Sequence, residues 1–116
     1  MVDIVGQLVA IYYQYELWHD YIMDIEQAYT YHQKHLDNGD IYVHIEDNEV
    51  LGYYERFIKG NTCFLSNVYV KEGYRKGRVF RQLYKHFFST MPKNIEYITG
   101  EKQKLGGKIM KEKIRR

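Results

Sequence analysis

The sequence predicts a mixed α/β (α+β) domain, with elements in the order α-α-β-β-β-α-β-α on one sheet. Three observations carry that reading. Apolar residues recur at helical spacing through the first 37 positions, the period changes to two from residue 41, and a strand–loop–helix unit follows. At 116 residues, 45% hydrophobic and 28% charged, the chain has the length and composition of one globular core, so residues 1–116 form a single domain.

Asp3 caps a first helix, in which Ile4, Leu8, Ile11, Tyr15 and Trp18 make one apolar stripe. His19-Asp20 interrupts it, and Ile22, Ile25, Tyr29 and Leu36 continue the pattern as a second helix, which Asn38-Gly39 stops. Ile41, Val43 and Ile45 alternate with polar residues, Asp47-Asn48 turns the chain, and Val50 to Ile58 completes a hairpin. After the turn at Gly60-Asn61, Cys63 to Val70 is apolar enough for a central strand. Lys71 to Arg78 is a polar loop. Phe80, Leu83, Phe87 and Met91 mark a third helix, ended by Pro92. Asn94 to Thr99 reads as a fourth strand, and Leu105, Ile109 and Ile114 as a terminal helix weakened by Gly106-Gly107.

Charge is divided between the halves. Residues 1–58 hold eleven acids against Lys34 and Arg56, a net −9, while the remaining fifteen bases and four acids leave residues 59–116 at +11. A half this basic suits an anion: a phosphate, a nucleic acid or an acidic protein surface. The two halves also have the charge to neutralise one another. Thirteen tyrosines supply apolar bulk with polar tips, suited to the margin of a core. One cysteine, Cys63, excludes an internal disulfide and is expected to be a buried thiol. No apolar run approaches a membrane span, and no basic residue precedes the first apolar stretch as in a secretory signal, which points to a cytoplasmic protein.

The segment with chemical promise runs from Val68 to Leu83. A buried strand feeds a basic loop that opens directly into a helix, whose first amides lack intrahelical partners and carry partial positive charge. Arg75, Lys76, Arg78 and Arg81 add four cations there, an arrangement suited to phosphate or pyrophosphate. His32 and His35, three apart on a helix, could share a metal with Asp20 or Asp24, although solvent exposure is the commoner fate of such a pair. Trp18 and the Tyr12-Tyr13-Tyr15 group fit a core or a dimer face.

Two helices, a hairpin, a central strand ending Val68-Tyr69-Val70, then Tyr74-Arg75 and a basic loop into a helix resemble the GNAT superfamily of acyl-CoA-dependent N-acyltransferases. The resemblance covers residues 20–100. It implies a central, mostly antiparallel sheet with helices on both faces. The family's loop signature is Arg/Gln-x-x-Gly-x-Gly/Ala. Arg75 matches its first position, but Gly77 falls one place early, and Arg78 and Phe80 stand where glycine or alanine is usual. The chain also starts with a helix where the family starts with a strand, and its tail leaves no room for a final strand pair. This implies a short member truncated at both ends, divergent or phage-like.

From the resemblance, Leu65 to Val70 would splay from the next strand and meet the pantetheine arm of acetyl-CoA. Val68, Tyr69, Val70, Arg75, Lys76, Gly77, Arg78, Val79, Phe80 and Arg81 would bind this co-substrate. The implied reaction is acetyl transfer to an amine acceptor. Glu55 is then a candidate base, Glu46 and His44 are further ones, and Tyr97 substitutes for a family tyrosine that acts as acid. As strand residues, Glu46 and Glu55 are expected to face solvent. The alternative is a catalytically inactive binding module of the same fold, which meets nucleic acid or an acidic protein through the basic half. Lys102, Lys104, Lys108, Lys111, Lys113, Arg115 and Arg116 would extend that surface, and a homodimer is compatible with the opposed charges.

Overall fold

A computed structural model describes residues 3–15, 21–75, 77–102 and 108–114. Its elements are α1 (Ile4–Gln14), α2 (Ile25–Asp37), β1 (Ile41–Glu46), β2 (Glu49–Lys59), β3 (Thr62–Val70), α3 (Arg78–Ser89), β4 (Tyr97–Lys102) and β5 (Lys108–Lys113). These strands form one sheet in sequence order; among the described residues only β3 and β4 pair in parallel.

Local chemistry explains the boundaries. The Asp3 carboxylate accepts the Gly6 N–H at 2.8 Å to start α1. At α2, Asp24 and Gln27 form a reciprocal capping box. Gly39, at φ +79°, ends that helix: its own N–H reaches the Leu36 carbonyl, and that of Asp40 reaches His35. Asp47 and Asn48 both take positive φ, as a two-residue hairpin turn requires. Many tyrosines work through their tips. Tyr12 Oη accepts the Met23 N–H at 2.9 Å and Tyr13 Oη donates to the Met23 carbonyl, fastening α1 to the start of α2.

Residues of β2 alternate between the two sides of the sheet except at a bulge around Leu51, opposite the His44–Ile45 step of β1. Val50 and Tyr53 pack with Leu8 of α1, whereas Leu51 and Tyr54 join Cys63, Val79, Leu83, Phe87 and Ile95 beneath α3. Helices therefore cover both faces, as expected. Gly52 brings α3 close: a Cβ there would stand 2.9 Å from the Tyr69 carbonyl oxygen and the same distance from Val79. At the other end of α3, Arg56 donates to the carbonyls of Phe87 and Thr90, capping the helix from the sheet.

The tail corrects the sequence reading. Residues 108–113 form a strand antiparallel to β4, from Lys102↔Lys108 to Tyr97↔Lys113, not a helix. The apolar spacing of Leu105, Ile109 and Ile114 is weak, and strand pairing satisfies backbone groups that β4 would otherwise leave open at the sheet edge. One strand of the terminal pair is thus present, and the order ends β-β. Residues 104–107 lie outside the described residues, as do Trp18, Asp20, Arg115 and Arg116.

Candidate active site

Strand β3 is the axis of the site. It pairs with β2 along its whole length, with a bulge between Glu55 and Arg56 of β2 and Asn67 and Leu65 of β3. Its pairing with β4 covers only Thr62–Leu65 against Tyr97–Gly100. Beyond Leu65 the two strands part, and one backbone edge of β3 has no strand beside it among the described residues. Ser66, Asn67 and Val68 are exposed there, Val68 at 47%. An extended chain with amide groups can add to such an edge.

The same strand leads into the helix start. The Lys71 N–H continues the ladder to the Leu51 carbonyl, and Gly73 turns the chain at φ +91°. Gly77 is the N-cap of α3 and offers no side-chain acceptor, and the first turn holds no acid. A Cβ built on Gly77 would meet nothing within 4 Å, so the space before these amides is open. The set fits an anion: uncapped N–H groups, the positive end of a helix of twelve residues, and flanking cations.

The cations hold different posts. Arg75 donates from Nε to the Val70 carbonyl at 3.0 Å and from Nη2 to Tyr15 Oη at 3.1 Å, bracing the end of β3 against α1. Arg78 is clasped to Glu46, which also bonds the Nε2 of His44 at 2.9 Å. Arg78, and then His44, hold the Glu46 carboxyl below its usual range. Lys71 is clasped to Glu49. Arg81 stands exposed, and Lys76 lies outside the described residues. Of the other residues named for this role, Val79 and Val70 are buried, so their backbones are what a ligand could reach. Tyr69 is half-buried, and Phe80 is exposed.

Glu55 is the unexpected residue. It does not face solvent: it is 3% exposed, opposite Asn67 in the bulge, and it accepts the Tyr31 hydroxyl at 2.9 Å. Alternation explains this, because position 55 shares the sheet face of Tyr53, which α1 and α2 cover. Burial, then the charge of Glu55, raises the pKa of Tyr31, and the same causes raise that of Tyr53. Tyr69 lies on the open stretch in edge contact with Tyr15. Burial and Tyr15 raise its pKa, against Lys71 and Arg75. Tyr97 pairs with Thr62 at the closed end of the β3–β4 contact. From Thr62 to Asn67 is about 16 Å along the strand. The structure does not bring Tyr97 and Glu55 together.

The remaining candidates have other partners. His32 is buried, against the expected exposure, with Nδ1 2.7 Å from the Ala28 carbonyl, and His35 pairs with Asp40. Among the described residues no cluster of His, Cys, Asp and Glu is arranged for a metal. Cys63 is fully buried, and burial pushes its thiol pKa up. No helix among the described residues is long and apolar enough to cross a membrane.

A model of the acetyltransferase (GNAT) family matches residues 7–103. The chain belongs to this family. Its fold is also that of solved GNAT acetyltransferases. A putative acetyltransferase of Salmonella typhimurium, yncA, solved with its cofactor acetyl-CoA, superposes with a TM-score of 0.65 at 15% identity, over 100% of this chain and 93% of that one. The ribosomal-protein-alanine N-acetyltransferase of Brucella melitensis gives 0.61 at 19%, over 83% and 67%. The PaiA N-acetyltransferase of Thermoplasma acidophilum, solved with coenzyme A, gives 0.57 at 17%, over 95% and 90%. No curated protein sequence matches the chain significantly.

For this GNAT chain, sequence reasoning located the β3–loop–α3 unit but missed Tyr31 and Gly52. Tyr31 sits 24 residues from Glu55, and no local pattern joins them. Gly52 carried a readable signal, since a glycine inside a strand marks a close approach.

Proposed function

We propose that this protein is an N-acyltransferase that moves an acetyl group from acetyl-CoA to an amine. One observation carries the reading: β3 parts from β4 after Leu65, and the same strand delivers an uncapped helix start a few residues later. The backbone edge of Ser66 to Val70 would hold the pantetheine arm, and the amides from Gly77 to Arg81 the pyrophosphate. Arg81 and Arg78 supply charge, and Arg75 keeps the loop in place. Arg78 must leave or share its clasp with Glu46 to do so.

Bound acetyl-CoA supplies the activated thioester. Glu55 takes the acceptor's proton. It lies one strand in from the open edge, so the proton reaches it through a bridging water. Tyr31 holds the carboxylate in place. Tyr69 is on the open stretch and keeps its proton at neutral pH, so we assign it, in preference to Tyr97, the proton for the departing thiolate.

Calorimetry with acetyl-CoA tests the first half. Saturable binding near micromolar, about −8 kcal/mol, is expected, with at least a tenfold loss in Arg81→Glu. Release of free thiol with a panel of primary amines tests the second. Tyr69→Phe should slow it more than Tyr97→Phe. A protein that binds no acetyl-CoA overturns the assignment.

A further inference from the structure

Two exposed apolar features are not explained by this site, although the first begins at its edge, with Phe80 and Arg81. On α3, Phe80, Tyr84 and Phe88 recur every fourth residue with their rings in one row. All three are exposed, Tyr84 the most at 58%. Arg81 and Lys85 follow one position behind Phe80 and Tyr84, and α3 contains no acid. This is an aromatic ridge with a cationic flank. The second feature lies on α1 and α2. An open groove of about 800 Å³ has Ile4, Val5, Tyr29 and Leu36 in its lining, with Asp3, Asp37 and one base, Lys34. Ile25, one turn before Tyr29, extends its stripe and is 59% exposed beside Glu26.

We infer that the aromatic ridge of α3 on one copy docks into the α1–α2 groove of a second copy. Shape and charge agree: a convex apolar row with cations meets a concave apolar stripe whose neighbouring charges are mostly acids. The local charges are Arg81 and Lys85 beside the ridge, and Asp3 and Asp37 against Lys34 in the groove, with Glu26 next to Ile25. The geometry also sets the symmetry. Ridge and groove belong to helices on opposite faces of the sheet, so a two-fold pair cannot satisfy both contacts at once. The contact is head-to-tail, and repetition closes a ring or grows a filament.

The test is the oligomeric state by light scattering and sedimentation, from micromolar to submillimolar protein, in about 0.05 M and about 0.5 M salt. Wild type is expected to associate at low salt and to weaken at high salt. Tyr84→Glu and Tyr29→Glu should each be monomeric under the same conditions. Both sites are exposed, and unchanged circular dichroism would show that the variants fold. Mixing the two is decisive, since one keeps its groove and the other its ridge. They should form a 1:1 dimer that grows no further. A monomeric wild type at low salt, variants that still associate, or a mixture that stays monomeric would each overturn the head-to-tail contact. Arg81→Glu offers a milder check, with at least a threefold weaker association.

Discussion

The two faces of the sheet bury different chemistry. Beneath α3 the core is Leu51, Cys63, Val70, Val79, Leu83, Phe87, Met91 and Ile95, with Tyr54 as its polar edge. Beneath α1 and α2 the buried set includes Glu55 and His32 among tyrosines. Both faces hold β3, but for different ends. The α3 face fixes the strand and the helix start that follows it. The α1–α2 face keeps an ionisable group, Glu55, one strand from the open edge, a burial that costs stability and is offset in part by the Tyr31 hydroxyl.

The largest effect should come from the apolar face. The side chain of Leu83 is almost wholly buried among the apolar residues beneath α3. Leu83→Ala should therefore lose roughly 2–5 kcal/mol in denaturant unfolding. A small loss would mean that the α3 face is not the structural one. Next, Glu55→Gln should cut the rate of acyl transfer by about 10²–10⁴-fold while acetyl-CoA affinity holds. Wild-type turnover in that variant would make Glu55 structural and erase the contrast between the faces.

Gly52→Ala sharpens the comparison, because its new Cβ points at the Tyr69 carbonyl, Val79 and Leu83. Roughly 1–3 kcal/mol should be lost on the α3 face. Acetyl-CoA binding should weaken with it, since the helix start is pushed off β3. A stable variant that binds normally would show that the close approach does not position the site.

The smallest effect is a pH dependence at His86. Its ring stacks on Tyr42 at 3.5 Å, and its Nδ1 lies 2.7 Å from the Tyr54 hydroxyl. Burial, then Arg56, lowers its pKa from 6.5. The unfolded chain therefore takes up the proton first as pH falls, so the stability from neutral His86 is complete above about pH 6.5 and drains away below it. His86→Phe should flatten that part of the melting-temperature profile, and an unchanged slope would place the titrating group elsewhere.

Helix stops, turns and the β3–loop–α3 unit were legible in the sequence because they depend on neighbours. Asp3, Asn38-Gly39 and Asp47-Asn48 each act on a backbone segment within a few residues. The tail was misread although its partner is close in sequence. Five residues separate β4 from β5, Gly106-Gly107 among them, and the spacing of Leu105, Ile109 and Ile114 was weighed as helical instead. Glu55 was named as a candidate base from the family resemblance and expected to face solvent as a strand residue. Its burial was not foreseen, because alternation says that it faces one side without saying what covers that side.

What the sequence by itself determined is the succession of elements up to β4 and the basic loop that opens α3, since period, caps and turn residues act over a few positions of chain. Tertiary structure alone decided that Tyr31 reaches Glu55 and that Arg78 is clasped by Glu46 from 32 residues away. It also fixed, after Leu65, the parting of β3 from β4 that the family resemblance implied. Each depends on groups brought together through space, and their energies arise only when the two faces of the sheet are packed.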